Sequence, residues 1–293
     1  MTWLRFAVEA GEVSRARQSV DCPEGAVRGR MWETSMANHV ILGRHHFLHV
    51  GIRHVAARQP VEWLRRGWDD FRHMKSASLA HGALITALGA VLLMLGSSHP
   101  YLVAAAISGY LLVGPVMTTG LCELSRRRAA QEPVGFDESL QGMTRNPEGL
   151  LWFGVVLAIV AAAWFVLSGI LLQSALHASA PSLGDALWGS LSDDASRPQM
   201  LAYLGSGAVL AVIVFMLSVV AVPLIIDRHA SAMDAMWISA KAMFWNLPAM
   251  IVWAGLIVGL TVIGFLPFLF GMIIVAPVLG HATWHAYRDL ITD

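Results

Sequence analysis

Two stretches of this chain run without a charged side chain for longer than one membrane-crossing helix needs. From Ser76 to Cys122, and again from Ala242 to Tyr287, there is no Asp, Glu, Lys or Arg. Each run is about 46 residues, roughly 70 Å as helix, against a hydrocarbon core of about 30 Å. Neither can be a single straight span, so each must fold back on itself. Each carries breakers near its middle, Gly96-Ser-Ser-His-Pro100 in the first and Gly264 with Pro267 in the second. Composition agrees: 56% of the residues are hydrophobic and only 14% are charged, where soluble domains carry roughly 25% charged residues. The predicted fold class is all-α, a polytopic membrane helix bundle.

Three similar units account for the rest of the pattern. Leu64, Trp68 and Phe71 fall at i, i+4 and i+7, and the same spacing returns at Phe136, Leu140 and Met143 and at Met236, Ala240 and Met243. Each triplet marks a short helix lying at the membrane interface. Asn146 and Asn246 end the second and third of these helices. Each short helix leads into two spans: Ser78–Gly96 with Tyr101–Leu121, Leu150–Leu172 with Met200–Ile226, and Pro248–Phe265 with Pro267–Trp284. The prediction is six transmembrane helices in three helix-plus-hairpin repeats, at about residues 61–128, 134–231 and 233–290. Residues 1–60 read as a poorly ordered cytoplasmic tail. An insert at about residues 174–199 holds a short helix from Ser182 to Leu191, suggested by capping-box-like spacing at Ser182 and Asp185.

Positive charge orients the bundle. Twelve Lys or Arg precede the first span, four lie between spans two and three, two between four and five, and one follows span six. The opposite face has Arg197 alone. Both termini are therefore expected in the cytoplasm, with the insert outside. The formal net charge is zero, from 20 basic and 20 acidic residues, and no basic stripe points to nucleic acid. Two cysteines, Cys22 and Cys122, are too few for a disulfide framework. Arg5 and Glu9 interrupt the opening residues, so no cleavable signal peptide is expected, and Met36 is an alternative start. His45, His46, His49 and His54 lack regular metal-ligand spacing.

Trp63-Leu-Arg-Arg-Gly-Trp68-Asp-Asp-Phe71, Gly109-Tyr-Leu-Leu-Val-Gly-Pro115 with Glu123-Leu-Ser-Arg126, and Gly280-His-Ala-Thr-Trp-His-Ala-Tyr-Arg-Asp289 together resemble a bacterial family of uncharacterised integral membrane proteins, domain of unknown function 2189. The resemblance runs from roughly Ile52 to Leu290. It implies a multi-span inner-membrane protein and transfers no catalytic residue. Some members carry a cytochrome c oxidase label, but an oxidase subunit needs several histidines deep in its spans. Here only His81 lies clearly inside one.

Aligning the units on Pro115, Pro223 and Pro277 brings polar residues into register. Four residues on stand Thr119, Asp227 and His281; eight on stand Glu123, Ser231 and His285. His281 and His285 have the i, i+4 spacing of two imidazoles on one metal, and Asp227 and Glu123 would complete a zinc-type site or a proton relay. Headgroup anchoring explains the same polar span ends. No cofactor is indicated. The three prolines read as kinks whose freed backbone groups are re-satisfied by neighbours, and Gly255-Leu-Ile-Val-Gly259 as internal close packing. Gly205-Ser-Gly207 follows no strand and is no nucleotide loop. No Ser/His/Asp arrangement is visible. The functions weighed are a permease-like bundle handling a small solute or ion, a non-catalytic scaffold for a larger envelope or respiratory complex, and, third, a metal-dependent membrane enzyme. The bilayer is the expected partner, with a membrane protein or a second copy of the chain as further candidates.

Overall fold

The computed structural model describes residues 50–96, 114, 117–176, 197–267 and 269–292. The expectations for residues 1–49, for most of the second span with Pro115, and for the helix from Ser182 to Leu191 lie outside the described residues. Residues 50–293 form a unit of their own. The segment just before residue 60, which the sequence assigns to the tail, is tied into it. Strand β1 (Gly51–Ile52) pairs antiparallel with β2 (Ile291–Thr292), and Arg53 N donates to Leu290 O at 2.8 Å.

Helix α1 (Gln59–His73) opens on Pro60, whose fixed φ suits a first helical turn, and has Arg72 and His73 at its negative end. Its buried side is Trp63, Gly67, Asp70 and Phe71. The predicted stripe is therefore rotated: Phe71 is buried but Trp68 is 45% exposed. A helix lying against a membrane can present apolar side chains to lipid on one side as well as to protein on the other. In the second predicted stripe Leu140 and Met143 are likewise exposed, while in the third Met236 and Ala240 are buried. α1 lies along α11 (Met272–Leu290), and Gly67 sets their distance. A Cβ there would sit 2.7 Å from both Val278 O and Ala282 N.

Helix α2 (Lys75–Gly96) packs on the other flank of α11, where a Cβ on Gly82 would run into the carbonyl of Ile273. Gly82→Ala is expected to cost about 1–3 kcal/mol by forcing the two backbones apart. Gly154→Ala, with open space beyond it, should be neutral or stabilising by up to about 1 kcal/mol. Thermal melting in detergent reads both.

After α3, described over residues 117–129, come α4 (Phe136–Leu140), α5 (Gly142–Arg145) and α6 (Pro147–Leu176). Helices α7 (Arg197–Ser218), α8 (Ala221–Arg228), α9 (Ala232–Trp245) and α10 (Leu247–Phe265) lead to α11. Short helices turn into long ones at single residues: Met74 (φ −118°, ψ 42°), Asn146 (φ −147°, ψ 74°) and Asn246 (φ −123°, ψ 33°). Both asparagines clamp their joints. Asn146 Nδ2 donates to Ala230 O at 2.9 Å and its Oδ1 accepts from Gly149 N at 3.0 Å. Asn246 Oδ1 accepts from Val55 N at 2.8 Å, and Nδ2 donates to Arg53 O at 3.1 Å.

The break between α7 and α8 has a definable cause. Pro223 has no N–H to give Val219, and one turn earlier Ser239 of α9 intervenes. Its hydroxyl accepts from Val220 N (3.4 Å) and donates to Met216 O (2.8 Å), bridging groups that would otherwise pair within the helix. Pro277, by contrast, lies inside a continuous α11, so the prolines do not all break their spans. Gly255 and Gly259 also depart from expectation: among the described residues a Cβ on either would meet nothing within 4 Å, so they make no close contact there.

Among the described residues, three helices are long and apolar enough to cross a membrane: Pro147–Leu171, Leu201–Arg228 and Leu247–Phe265. They match the predicted third, fourth and fifth spans. Their surfaces are apolar too, with Ile159, Ile170, Val209, Ile251 and Val258 each more than 60% exposed. Such a surface suits lipid, not water.

Candidate functional site

His281 stands one turn past Pro277 on α11 and His285 one turn further, so both imidazoles leave the same side of the helix. Ser78 Oγ of α2 is 2.9 Å from His281 Nε2, and Ser125 Oγ of α3 is 2.8 Å from Nδ1. Ser125 has one hydroxyl proton, which it donates to Asp70 Oδ2 of α1 at 2.5 Å. It must therefore accept from His281 Nδ1–H, leaving Nε2 to accept the Ser78 hydroxyl. The direction of every bond follows: Ser78 to His281, His281 to Ser125, Ser125 to Asp70. A serine, a histidine and an aspartate that no sequence spacing connects are thus joined by the fold, with Ser125 between the last two.

Asp70, 4% exposed, anchors the row. Oδ2 also accepts from His285 Nε2 at 3.0 Å, and Arg128 of α3 pairs with Oδ1 while its other nitrogen reaches Asp69 at 2.8 Å. Burial pushes the Asp70 carboxyl up, but the hydrogen bonds from His285 and Ser125 and the nearby imidazoles outweigh it, holding the group below the usual carboxylate range. The row is a continuous chain of hydrogen bonds from Ser78 to Asp70. With Ser78 and His281 wholly buried, it ties α1, α2, α3 and α11 into one register.

The other residues singled out by sequence go elsewhere. Glu123, fully buried, accepts from Arg126 through two nitrogens at 2.9 Å and from Arg127 Nε at 2.9 Å, with Arg145 Nη1 at 3.7 Å. Asp227 accepts from the Tyr287 hydroxyl at 2.6 Å. Burial and that carboxylate raise the Tyr287 phenol well above its ordinary value. Ser231 caps α9 by accepting from Asp234 N. Thr119 Oγ1 is buried with no hydrogen-bond partner among the described residues. His281 and His285 do share a site, but Glu123 and Asp227 do not join them. Among the described residues no three His, Cys, Asp or Glu side chains are placed to hold a metal ion.

A further carboxylate fastens the two ends of the unit. Asp289 accepts from Trp63 Nε1 and Gln59 Nε2, each at 2.8 Å, and pairs with Arg66. Burial raises its carboxyl, and these donors more than offset that, leaving it below the ordinary value.

A different feature occupies the opposite side of α11. A cavity of about 920 Å³ opens between α2, α3, α7, α10 and α11. α11 contributes Met272, Ala276, Leu279 and Thr283 to its wall, the helical face turned away from His281 and His285. No described wall residue is Asp, Glu, Lys, Arg or His; hydroxyls of Thr118, Ser218, Thr261 and Thr283 supply the polarity.

Comparison with known proteins adds one match. Residues 102–227 fit the model of the family described as predicted integral membrane protein, DUF2189, the family that the sequence resembles. The matched stretch includes Thr119, Glu123, Ser125, Arg128 and Asp227, while α1 and α11 lie outside it. No curated protein and no solved structure matches the chain.

Proposed function

We propose that this integral membrane protein is a six-span, permease-like bundle of the bacterial inner membrane that accommodates a small uncharged, largely apolar solute. The observation that carries the reading is the cavity of about 920 Å³ whose described lining carries no charged side chain, walled by helices from all three sequence units. Solute sites in repeat-built carriers lie at such junctions, and the volume is that of an ordinary small-molecule pocket. An ion would leave its charge unpaired there, so the ion-handling version gives way to an uncharged solute.

Contacts at one end of the unit support six crossings. β1 pairs with β2, which supports the two ends of the unit sharing a side and an even number of crossings between them. The inter-span connections meet in the same layer: Arg128 on Asp70, Arg145 Nε on Ile226 O at 2.8 Å, and Asn246 on Arg53. These contacts support three hairpins that leave this layer and return to it. The like-shaped joints at Met74, Asn146 and Asn246 support three repeats, and the arginine-rich layer is placed in the cytoplasm by the positive-inside rule.

Ala254 lines the cavity, and Ala254→Phe fills part of it. In nanodiscs, binding of an apolar environment-sensitive fluorophore should weaken about tenfold in this variant, a loss of roughly 1.4 kcal/mol. A permanently charged analogue should not bind to either protein. Equal binding by wild type and variant, or by the charged analogue, overturns the reading. A stoichiometric co-purifying subunit with no fluorophore binding transfers support to a scaffold.

A further inference from the structure

α1 presents a second, outward face that the site does not use. Arg58, just before its first turn, Arg65 and Arg72 recur at steps of seven, so they align along the helix, about 10 Å apart. All three are exposed, and Val61 (56%) and Trp68 (45%) stand exposed between them. Of the acids beside the stripe, Glu62 lies 3.6 Å from Arg65 in an exposed pair that contributes little, and Asp69 is held by Arg128 and His73. Among the described residues Arg58 and Arg72 have no ion-pair partner. The helix turns directly into α2 at Met74, and its inner face is fixed to α11 through Trp63 and Gly67.

We propose that this stripe is a binding surface for the headgroups of anionic phospholipids. Guanidinium groups present paired donors that match phosphate oxygens, while Val61 and Trp68 enter the boundary between headgroups and acyl chains. Rows of arginine and lysine beside a membrane span select anionic lipid by charge. Helix α9 supplies the contrast within the same molecule. Its exposed large apolar residues are Met233, Trp237, Phe244 and Trp245, and its one Lys or Arg, Lys241, lies over the Trp237 ring at 5.2 Å. α9 anchors by apolar contact; α1 adds selection for charge.

The test uses the full chain in nanodiscs of phosphatidylcholine, with a fluorescent phosphatidylglycerol or phosphatidylcholine as the probe. Wild type should hold phosphatidylglycerol in preference, and the preference should fall as salt is raised. The triple variant Arg58→Gln, Arg65→Gln, Arg72→Gln should lose at least about tenfold of that preference, with an unchanged melting temperature in phosphatidylcholine alone. Lys241→Gln on α9 should leave the preference intact. A preference that survives the triple variant, or that falls equally in Lys241→Gln, overturns the proposal. Should the triple variant fail to fold, Arg72→Gln alone is read, with a loss of about threefold expected and none overturning it.

Discussion

Replacing Glu123 by alanine is expected to destabilise the folded protein by about 3–5 kcal/mol, the range for removing one partner of a buried ion pair. Glu123 has no exposed surface and receives Arg126 in a two-nitrogen fork, Arg127 through Nε, and Arg145 from the neighbouring helix. Without it, three guanidinium groups converge on the space left by the lost CH2–COO⁻ group. Glu132 offers partial relief, 2.8 Å from Arg126. It is an exposed group, however, and pairs in high dielectric contribute little. The Arg126 and Arg127 side chains are themselves 12% exposed, which places the loss toward the lower end of the range. Glu123→Gln keeps the shape and one acceptor, so roughly half the loss is expected. Thermal and denaturant unfolding in mild detergent measure both. A cost below about 1 kcal/mol for alanine would mean that the cluster behaves as a solvated surface pair.

The membrane class and the apolar spans were legible because both depend on long-range composition and on runs of uncharged residues, which tertiary contacts do not rewrite. The joints at Asn146 and Asn246 were legible for a local reason, since a short polar side chain ends a helix by satisfying backbone groups itself. The polar site was legible only in part. His281 and His285 stood out because i, i+4 pairing is a one-helix property. Asp70 did not, because Arg65, Arg66, Asp69 and Arg72 around it make the segment look like a solvated face. Its true environment follows from Trp63, Gly67 and Asp70 on one stripe, a large residue, a gap and an acid facing protein. Reading that stripe as the inner one requires knowing that lipid, not water, covers the other side. Ser78 and Ser125 carried no signal at all, since their role exists only once α2 and α3 flank the same turn of α11.

That inversion also separates the cavity from the histidines. In sequence, Pro277, Leu279, His281 and Thr283 read as one polar span end. In the fold they divide between two faces of α11, with Leu279 and Thr283 toward the cavity and His281 toward the serines. A change in the hydrogen-bonded row therefore reaches the cavity through the position of α11, not through a side chain shared by both. This makes Asp70, which fixes α11 to α1 and α3, the residue to perturb.

Asp70→Asn is expected to lower stability at neutral pH by about 3 kcal/mol, because every contact of the carboxylate is a donor: Ser125, His285 and Arg128. The asparagine NH2 must face at least one of them. Arg128 keeps Asp69, which limits the loss. The pH dependence separates this loss from a packing defect. The Asp70 carboxyl is held below its ordinary value of 3.8 in the folded protein. Its contribution is therefore fully present above that ordinary value and disappears as pH falls through the lower, folded-state value. Wild type should lose stability in acid, more steeply than Asp70→Asn, and the gap between the two should narrow there. Asp70→Asn will still lose some stability in acid, since Asp289 is depressed in the same direction and remains in the variant. Ser125→Ala breaks the same row, so its cost and that of Asp70→Asn should be less than additive, with a coupling of about 1 kcal/mol or more. Melting curves of the four proteins, taken at neutral pH and in acid, supply both tests. A gap that stays constant with pH, or costs that simply add, would show that Asp70 neither carries its charge into the fold nor reaches His281 through Ser125.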